Sequence, residues 1–285
     1  MIARIKDPIK RIRWRGRRAA AARRWGRAAL EGAPVVIGNA MPKSGSHLLT
    51  QILRGLARIG PFVDPGMPPL TRSATNRNLD DAAVLANIQA LQPGDISYSY
   101  LHAREPFLSE LGKNRFALFF IHRDPRDVIV SHVFFAMNIH RSHGMHAYYT
   151  EKLHSMEERI SVAIRGVDDN GVFLSPIRVK YDRYLGWIGK PGVHTIRFEN
   201  LVQDRRQTIS TMLDFLNSRT FDSTLSRERE IEALESSIRS SASGTFRRGI
   251  SGEWREHFTG TNMEIFKEET GDLLQILGYE PDDSW

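Results

Sequence analysis

Residues 35–49, Val35-Val36-Ile37-Gly38-Asn39-Ala40-Met41-Pro42-Lys43-Ser44-Gly45-Ser46-His47-Leu48-Leu49, decide the fold of this 285-residue chain. An apolar run reads as a buried strand, and a turn of small residues holding one lysine leads into a helix. Such a turn points backbone N–H groups, at the positive end of a helix dipole, toward whatever lies before it. An anionic phosphate or sulfate group fits there. Glycine at Gly45 lets the backbone approach the anion without a clashing Cβ. In the nucleoside-triphosphate loop the lysine follows the second glycine directly. Here Lys43 precedes Gly45, so a kinase or GTPase reading fits poorly.

Outward from that stretch, the pattern alternates strand and helix. A helix is expected over 45–59, with Leu48, Leu49, Ile52, Leu53 and Leu56 on one face, and a strand over 96–102. The run Phe116-Ala117-Leu118-Phe119-Phe120-Ile121-His122 is apolar throughout, as a strand covered on both faces should be. Asp124-Pro125 opens a helix to about Met137; a strand follows at 194–198 and a helix at 203–217. The expectation is a three-layer α/β/α fold with a mainly parallel central sheet, like that of P-loop NTPases.

The charge is uneven. Residues 1–30 hold 11 Lys/Arg and one acidic residue, Asp7, while the remainder holds 29 basic and 32 acidic residues. The overall charge of +7 therefore belongs to the N-terminal segment, and no nucleic-acid partner follows from it. One helix is expected over 8–30, with a thin apolar face of Ile9, Ile12 and Trp25 and a dense basic surface suited to an anionic membrane. A solvated helix or tail is the plainer alternative. Zero cysteines exclude disulfides and thiolate metal sites and suit a cytoplasmic protein, peripheral to a membrane if the basic helix binds one. No apolar run is long enough to span a bilayer.

Two further segments carry chemistry. In Phe120-Ile121-His122-Arg123-Asp124-Pro125-Arg126-Asp127-Val128-Ile129-Val130-Ser131, an arginine sits where a strand meets a helix, with a hydroxyl two turns on, an arrangement that can grip a phosphate. The bland alternative leaves Arg126 and Asp127 in solvent on a capped helix. In Phe246-Arg247-Arg248-Gly249-Ile250-Ser251-Gly252-Glu253-Trp254, two adjacent arginines stand among small residues. They could wrap an anion or simply be solvated. Trp254 reads as a packing anchor. His140, His143 and His146 have a spacing that zinc could use, but a solvated or acceptor-facing loop suits their polar surroundings better.

Taken in order, the three segments resemble the motifs of sulfotransferases that use 3′-phosphoadenosine 5′-phosphosulfate (PAPS). Pro42-Lys43-Ser44-Gly45-Ser46 is similar to the family's 5′-phosphosulfate loop, and Arg123 and Ser131 match the two positions of its 3′-phosphate motif. Arg247, Arg248 and Gly249 match the loop that closes over that phosphate. The resemblance implies a basic segment, 1–33, before a sulfotransferase domain, 34–285. It implies PAPS as co-substrate, 3′,5′-ADP as product and no metal. Lys43, Ser44, Gly45, Ser46 and His47 would hold the 5′ end, and Lys43 would stabilise the transferred group and the leaving oxygen. His102 holds the place of the general base. Phe198 stands where the family often has a tyrosine near adenine, and Tyr100 where many members have a catalytic lysine. His47 and Leu48 replace the usual Thr and Trp, which removes an aromatic platform. The dimer motif survives only as Arg255, Thr259, Gly260 and Glu264. The acceptor would offer a hydroxyl or amine on a small molecule, glycan or lipid, in a pocket formed by loops 60–80 and 138–155. A nucleotide-dependent kinase and a non-enzymatic anion- or membrane-binding module are the rival readings.

Overall fold

The computed structural model describes residues 8–239 and 249–285, with side chains from Lys10 onward. They form two compact units, each drawn from two stretches of chain: residues up to 122 with those from 186 to 239, and residues 123–185 with 249–285.

The first unit opens with helices α1 (Pro8–Trp25) and α2 (Arg27–Gly32). There follow β1 (Val35–Ala40), α3 (Ser46–Ile59), α4 (Asp81–Gln89), β2 (Ile96–Ser99), α5 (Phe107–Leu111) and β3 (Phe116–His122). After the second unit's first stretch the chain returns as β6 (Val193–Arg197), α9 (Phe198–Gln203), α10 (Arg205–Asn217) and α11 (Arg227–Glu235). The four strands make one sheet in the order β2-β1-β3-β6, every neighbour parallel. Flanking helices and a parallel sheet make the α/β class expected from sequence.

Every residue of β1 and β3 is buried, which explains why neither alternates in polarity. The face carrying Val36, Ala40, Ala117, Phe119, Ile121 and Ile196 packs with Leu49, Ile52, Leu53 and Leu56 of α3 and with Ile209, Met212, Leu213 and Leu216 of α10. Each of these side chains larger than alanine contributes about 1.5–3 kcal/mol on burial. Gly38 lies on that face too: a Cβ there would meet Leu53 at 2.8 Å, so glycine lets α3 lie close over β1.

The N-terminal helix differs from expectation. Gly26, with φ 92°, breaks the expected 8–30 helix into two. The apolar side is Trp14, Ala21 and Leu30, buried with Val63 and Met67, while Ile12 is 69% exposed. Trp14 Nε1 and Arg18 both donate to the buried Asp95 carboxylate, at 2.9 and 3.0 Å. The helix therefore docks through a tryptophan and an ion pair. Burial raises the Asp95 pKa, and the donors from Gln92, Trp14 and Arg18 offset that in part.

Two further expectations are corrected. The second strand stops at Ser99, which leaves His102 in the loop beyond it. Phe198 is the first residue of α9, not the last of a strand.

The second unit runs α6 (Pro125–Phe134), two π-helical turns at Phe135–Ile139 and Tyr148–Lys152, α7 (Met156–Arg165), the hairpin β4 (Val167–Asp169) with β5 (Val172–Leu174), and α8 (Ile177–Leu185). It closes with α12 (Trp254–His257), α13 (Gly260–Thr270) and α14 (Leu273–Ile276). Asp124 caps α6 with Pro125 at its first position, and α7 begins with a Ser155–Glu158 capping box.

Candidate functional site

In the first unit the loop between β1 and α3 is built as the sequence predicts. Lys43 and Gly45 both take positive φ, 69° and 88°, which folds the chain tightly before the helix. A Cβ on Gly45 would lie 2.5 Å from Phe198 Cδ2, so this glycine is required twice, for its conformation and for its approach to the ring. No side chain caps the N-terminus of α3, and the N–H groups of its first turn have no intrahelical partner. The Ser44 hydroxyl is fully buried and makes no hydrogen bond among the described residues. Uncapped N–H groups, an orphaned buried hydroxyl and a lysine in one loop suit an anion.

The neighbours of that loop come from distant parts of the chain. The hydroxyls of Ser46 and Tyr100 are 2.9 Å apart. His102, half-buried, lies two residues beyond Tyr100. His47 is exposed; partial burial of its ring, then the charges of Lys43 and Arg54, lower its pKa. Thus Lys43, Ser44, Gly45, Ser46, His47 and Phe198 gather at one loop, with the His102 segment tied to it through Tyr100. At the end of β3, burial and then the Arg197 charge hold the His122 imidazole down to about 3, so it is neutral.

The second unit holds the other group. Arg123 is buried, its Nη2 donating to Asp127 Oδ2 at 3.2 Å and to the Ile250 carbonyl at 2.7 Å. Asp127 in turn accepts from the N–H groups of Gly252, at 2.8 Å, and Trp254, at 2.9 Å. One carboxylate thus orders both the arginine and the glycine-rich loop beside it. Gly249, with φ 63°, is at the head of that loop. Arg247 and Arg248 lie outside the described residues. Ser131 is half-buried on α6, two turns past Arg123.

Arg126 and Asp127 are both buried, so the solvated alternative is excluded. Arg126 pairs with Asp124 and Glu280 at 2.7 Å each, and its guanidinium lies 4.0 and 4.5 Å from the rings of Trp254 and Trp285, which meet each other edge to face. Trp254 is the packing anchor the sequence suggested. Sequence reasoning passed over Asn39, Asp127 and the Ser46–Tyr100 contact; only Asp127 left a signal, its placement one helical turn past Arg123.

The three histidines of the 140–146 stretch do not converge on one point. His146 Nδ1 is 2.8 Å from the Ala136 carbonyl, His143 Nδ1 accepts from the Met145 N–H, and His140 stacks on Phe135. Among the described residues, the side chains that do converge are Glu253, Glu256 and His257. Of the dimer-motif residues, Thr259 caps α13 and Arg255 lies over Trp254.

The model of the sulfotransferase domain matches residues 35–278. The chain belongs to that family. The match begins at the first residue of β1 and so excludes α1 and α2. Among solved structures, the sulfotransferase fold is shared with mouse sulfotransferase SULT7A1, complexed with PAP, at 16% identity and TM-score 0.56, over 89% of this chain and 93% of that one. Retinol dehydratase is similar in two complexes. With androsterone and inactive cofactor PAP it is 16% identical, with TM-score 0.53, over 86% of this chain and 83% of that one. With retinol and PAP it is 15% identical, with TM-score 0.54, over 86% and 84%. No curated protein matches by sequence. Among the described residues no helix of this sulfotransferase is long and apolar enough to cross a membrane.

Proposed function

We propose that this sulfotransferase moves a sulfuryl group from PAPS to a hydroxyl or amine of a small molecule, glycan or lipid. The observation that carries the reading is the N-terminus of α3, uncapped, with the buried Ser44 hydroxyl unpaired and Lys43 in the same loop. The N–H groups of that turn, with Ser44, Ser46 and His47, hold the 5′-phosphosulfate. The acceptor oxygen or nitrogen attacks sulfur in line, and the bond from sulfur to the phosphate oxygen breaks. Lys43 offsets the charge gathering on that oxygen, and His102 takes the acceptor's proton. Phe198, held against Gly45, packs beside the adenine. Arg123, Ser131, Arg247, Arg248 and Gly249 hold the 3′-phosphate. Lysine and backbone dipoles supply the charge, with no metal required. The fold-mates' complexes with PAP, androsterone and retinol support this nucleotide and a small-molecule acceptor.

Calorimetry with 3′,5′-ADP and with ATP–magnesium tests the donor assignment. The sulfotransferase should prefer 3′,5′-ADP, and Arg123→Ala should weaken that binding by about one to two orders of magnitude, the worth of a charged hydrogen bond. Equal competition by ATP–magnesium, the behaviour of a kinase, would overturn the 3′-phosphate assignment.

A second reading, peripheral attachment of a cytoplasmic enzyme to an anionic membrane, rests on the docking of α1. With Trp14 and Ala21 turned inward, Arg11, Arg13, Arg15 and Arg23 are exposed. Attraction is then electrostatic rather than insertional, about 1 kcal/mol per basic residue near the surface. Replacing these four arginines by glutamine should abolish sedimentation with phosphatidylserine vesicles at low salt and leave 3′,5′-ADP binding unchanged. Wild-type protein that stays in the supernatant removes the membrane role.

A further inference from the structure

The segment Tyr100-Leu101-His102 leaves the sheet beyond Ser99, yet side chains hold it at two consecutive residues. Asn39, next to last in β1, is fully buried. Its Nδ2 donates to the Leu101 carbonyl at 3.0 Å, and its Oδ1 accepts from the Leu101 N–H at 2.7 Å. A side-chain amide here takes over the role of the strand neighbour. Trp187 Nε1, from a fully buried ring, donates to the same carbonyl at 2.8 Å. Both backbone groups of Leu101 are thus satisfied, the oxygen twice over. One residue earlier, the Tyr100 hydroxyl meets Ser46 at 2.9 Å.

Asn39 stands four residues before Lys43, and Ser46 three after it. The anion-binding loop is therefore bracketed by two residues that each grip the segment carrying His102. A solvent-exposed hairpin turn would leave the following side chain free to drift; here the chain enters residue 102 from a fixed peptide. Misplacing a reacting group by about 1 Å can cost about 10²-fold in rate.

We propose that Asn39, assisted by Trp187, is a positioning residue for sulfuryl transfer, holding the Leu101 peptide and through it the His102 imidazole in register with the Lys43 loop. The proposal rests on His102 acting as the base. Its test uses the full chain with Asn39→Ala and Trp187→Phe, each made alone and together with His102→Ala. Turnover is read as sulfate released from ³⁵S-labelled PAPS with water as acceptor, and donor binding by calorimetry with 3′,5′-ADP. The His102 ring Cε1–H resonance, assigned by its loss in His102→Ala, is titrated by NMR.

Asn39→Ala should lower kcat about 10–100-fold and change 3′,5′-ADP affinity less than about threefold. The loss should shrink below about twofold when His102 is already alanine, because nothing remains to be positioned. Trp187→Phe should show the same pattern more weakly, and it carries the test if Asn39→Ala does not fold. In folded variants the His102 resonance should move and titrate at a different pH. Equal losses with and without His102, or an unmoved His102 resonance, overturn the proposal. Wild-type turnover in His102→Ala alone would instead sink the base assignment, and the resonance would still report whether Asn39 holds the ring.

Discussion

His102→Ala is expected to lower sulfuryl-transfer turnover by about 10²–10⁴-fold, the usual worth of a general base, while 3′,5′-ADP binds as before. The division follows from where the residue sits. The donor's 5′ end is assigned to the α3 N-terminus and Lys43, which His102 does not build. In the proposed mechanism His102 enters only when the acceptor gives up its proton. It is half-buried in a loop whose two preceding residues are tied down by other side chains, so removing its ring leaves the backbone in place. Lys43→Ala should behave differently and impair binding and turnover together, because lysine meets charge in both ground and transition states. Single-turnover quench with ³⁵S-labelled PAPS separates the two, and imidazole added to the buffer should restore part of the His102→Ala rate. A variant as active as wild type would remove His102 from the chemistry.

Asp127→Ala should be the most damaging change in the second unit. Its side chain is fully buried and accepts from Gly252, Trp254 and Arg123. Alanine would take the carboxylate from the buried Arg123 guanidinium, leaving the Ile250 carbonyl among its acceptors, and would remove the acceptor of two backbone N–H groups. Breaking a buried pair in this way costs about 3–5 kcal/mol. The loop from Gly249 to Trp254 would lose its fixed point, so 3′,5′-ADP should bind more weakly than to Arg123→Ala alone. Thermal unfolding and calorimetry measure the two effects. Asp127→Asn, which keeps the acceptor oxygen and the shape, should recover much of the stability. An unchanged melting temperature and affinity in Asp127→Ala would show that the carboxylate organises neither group.

The sheet was legible because burial on both faces writes itself as unbroken apolar runs, at Val35–Ile37 and Phe116–Ile121. The tight turn between β1 and α3 was legible because a lysine and a glycine among small residues interrupt the apolar run before the next helical face begins. Illegible features depended on single side chains acting at long range. Periodicity carries β2 on to His102; it does not register that Asn39 replaces the main-chain ladder at Leu101 and so ends the strand. The inward side of α1 was legible only in part: Trp25 packs against the buried cluster as expected, but Ile12 is exposed and Trp14 gave no periodic signal among so many arginines. Asp95, which fixes that side through Trp14 and Arg18, lies far along the chain. For Asp127 the sequence shows only its spacing from Arg123; its role depends on the Gly252–Trp254 backbone, which comes from far along the chain.

The first unit is interrupted, and that has a consequence for synthesis. Strand β3 pairs with β6 from Leu118↔Val193 to His122↔Arg197. Between the two strands about seventy residues must leave the ribosome, which at typical elongation rates takes about 4–14 s. Throughout that interval Phe116–His122, which holds the longest unbroken apolar run of the chain, has an open edge with unpaired N–H and C=O groups. An uncharged, β-prone edge of that length is a template for pairing between nascent chains. Yield in a cell should therefore depend on chaperone capacity and on translation speed between codons 123 and 193 more than on the equilibrium stability of the finished protein.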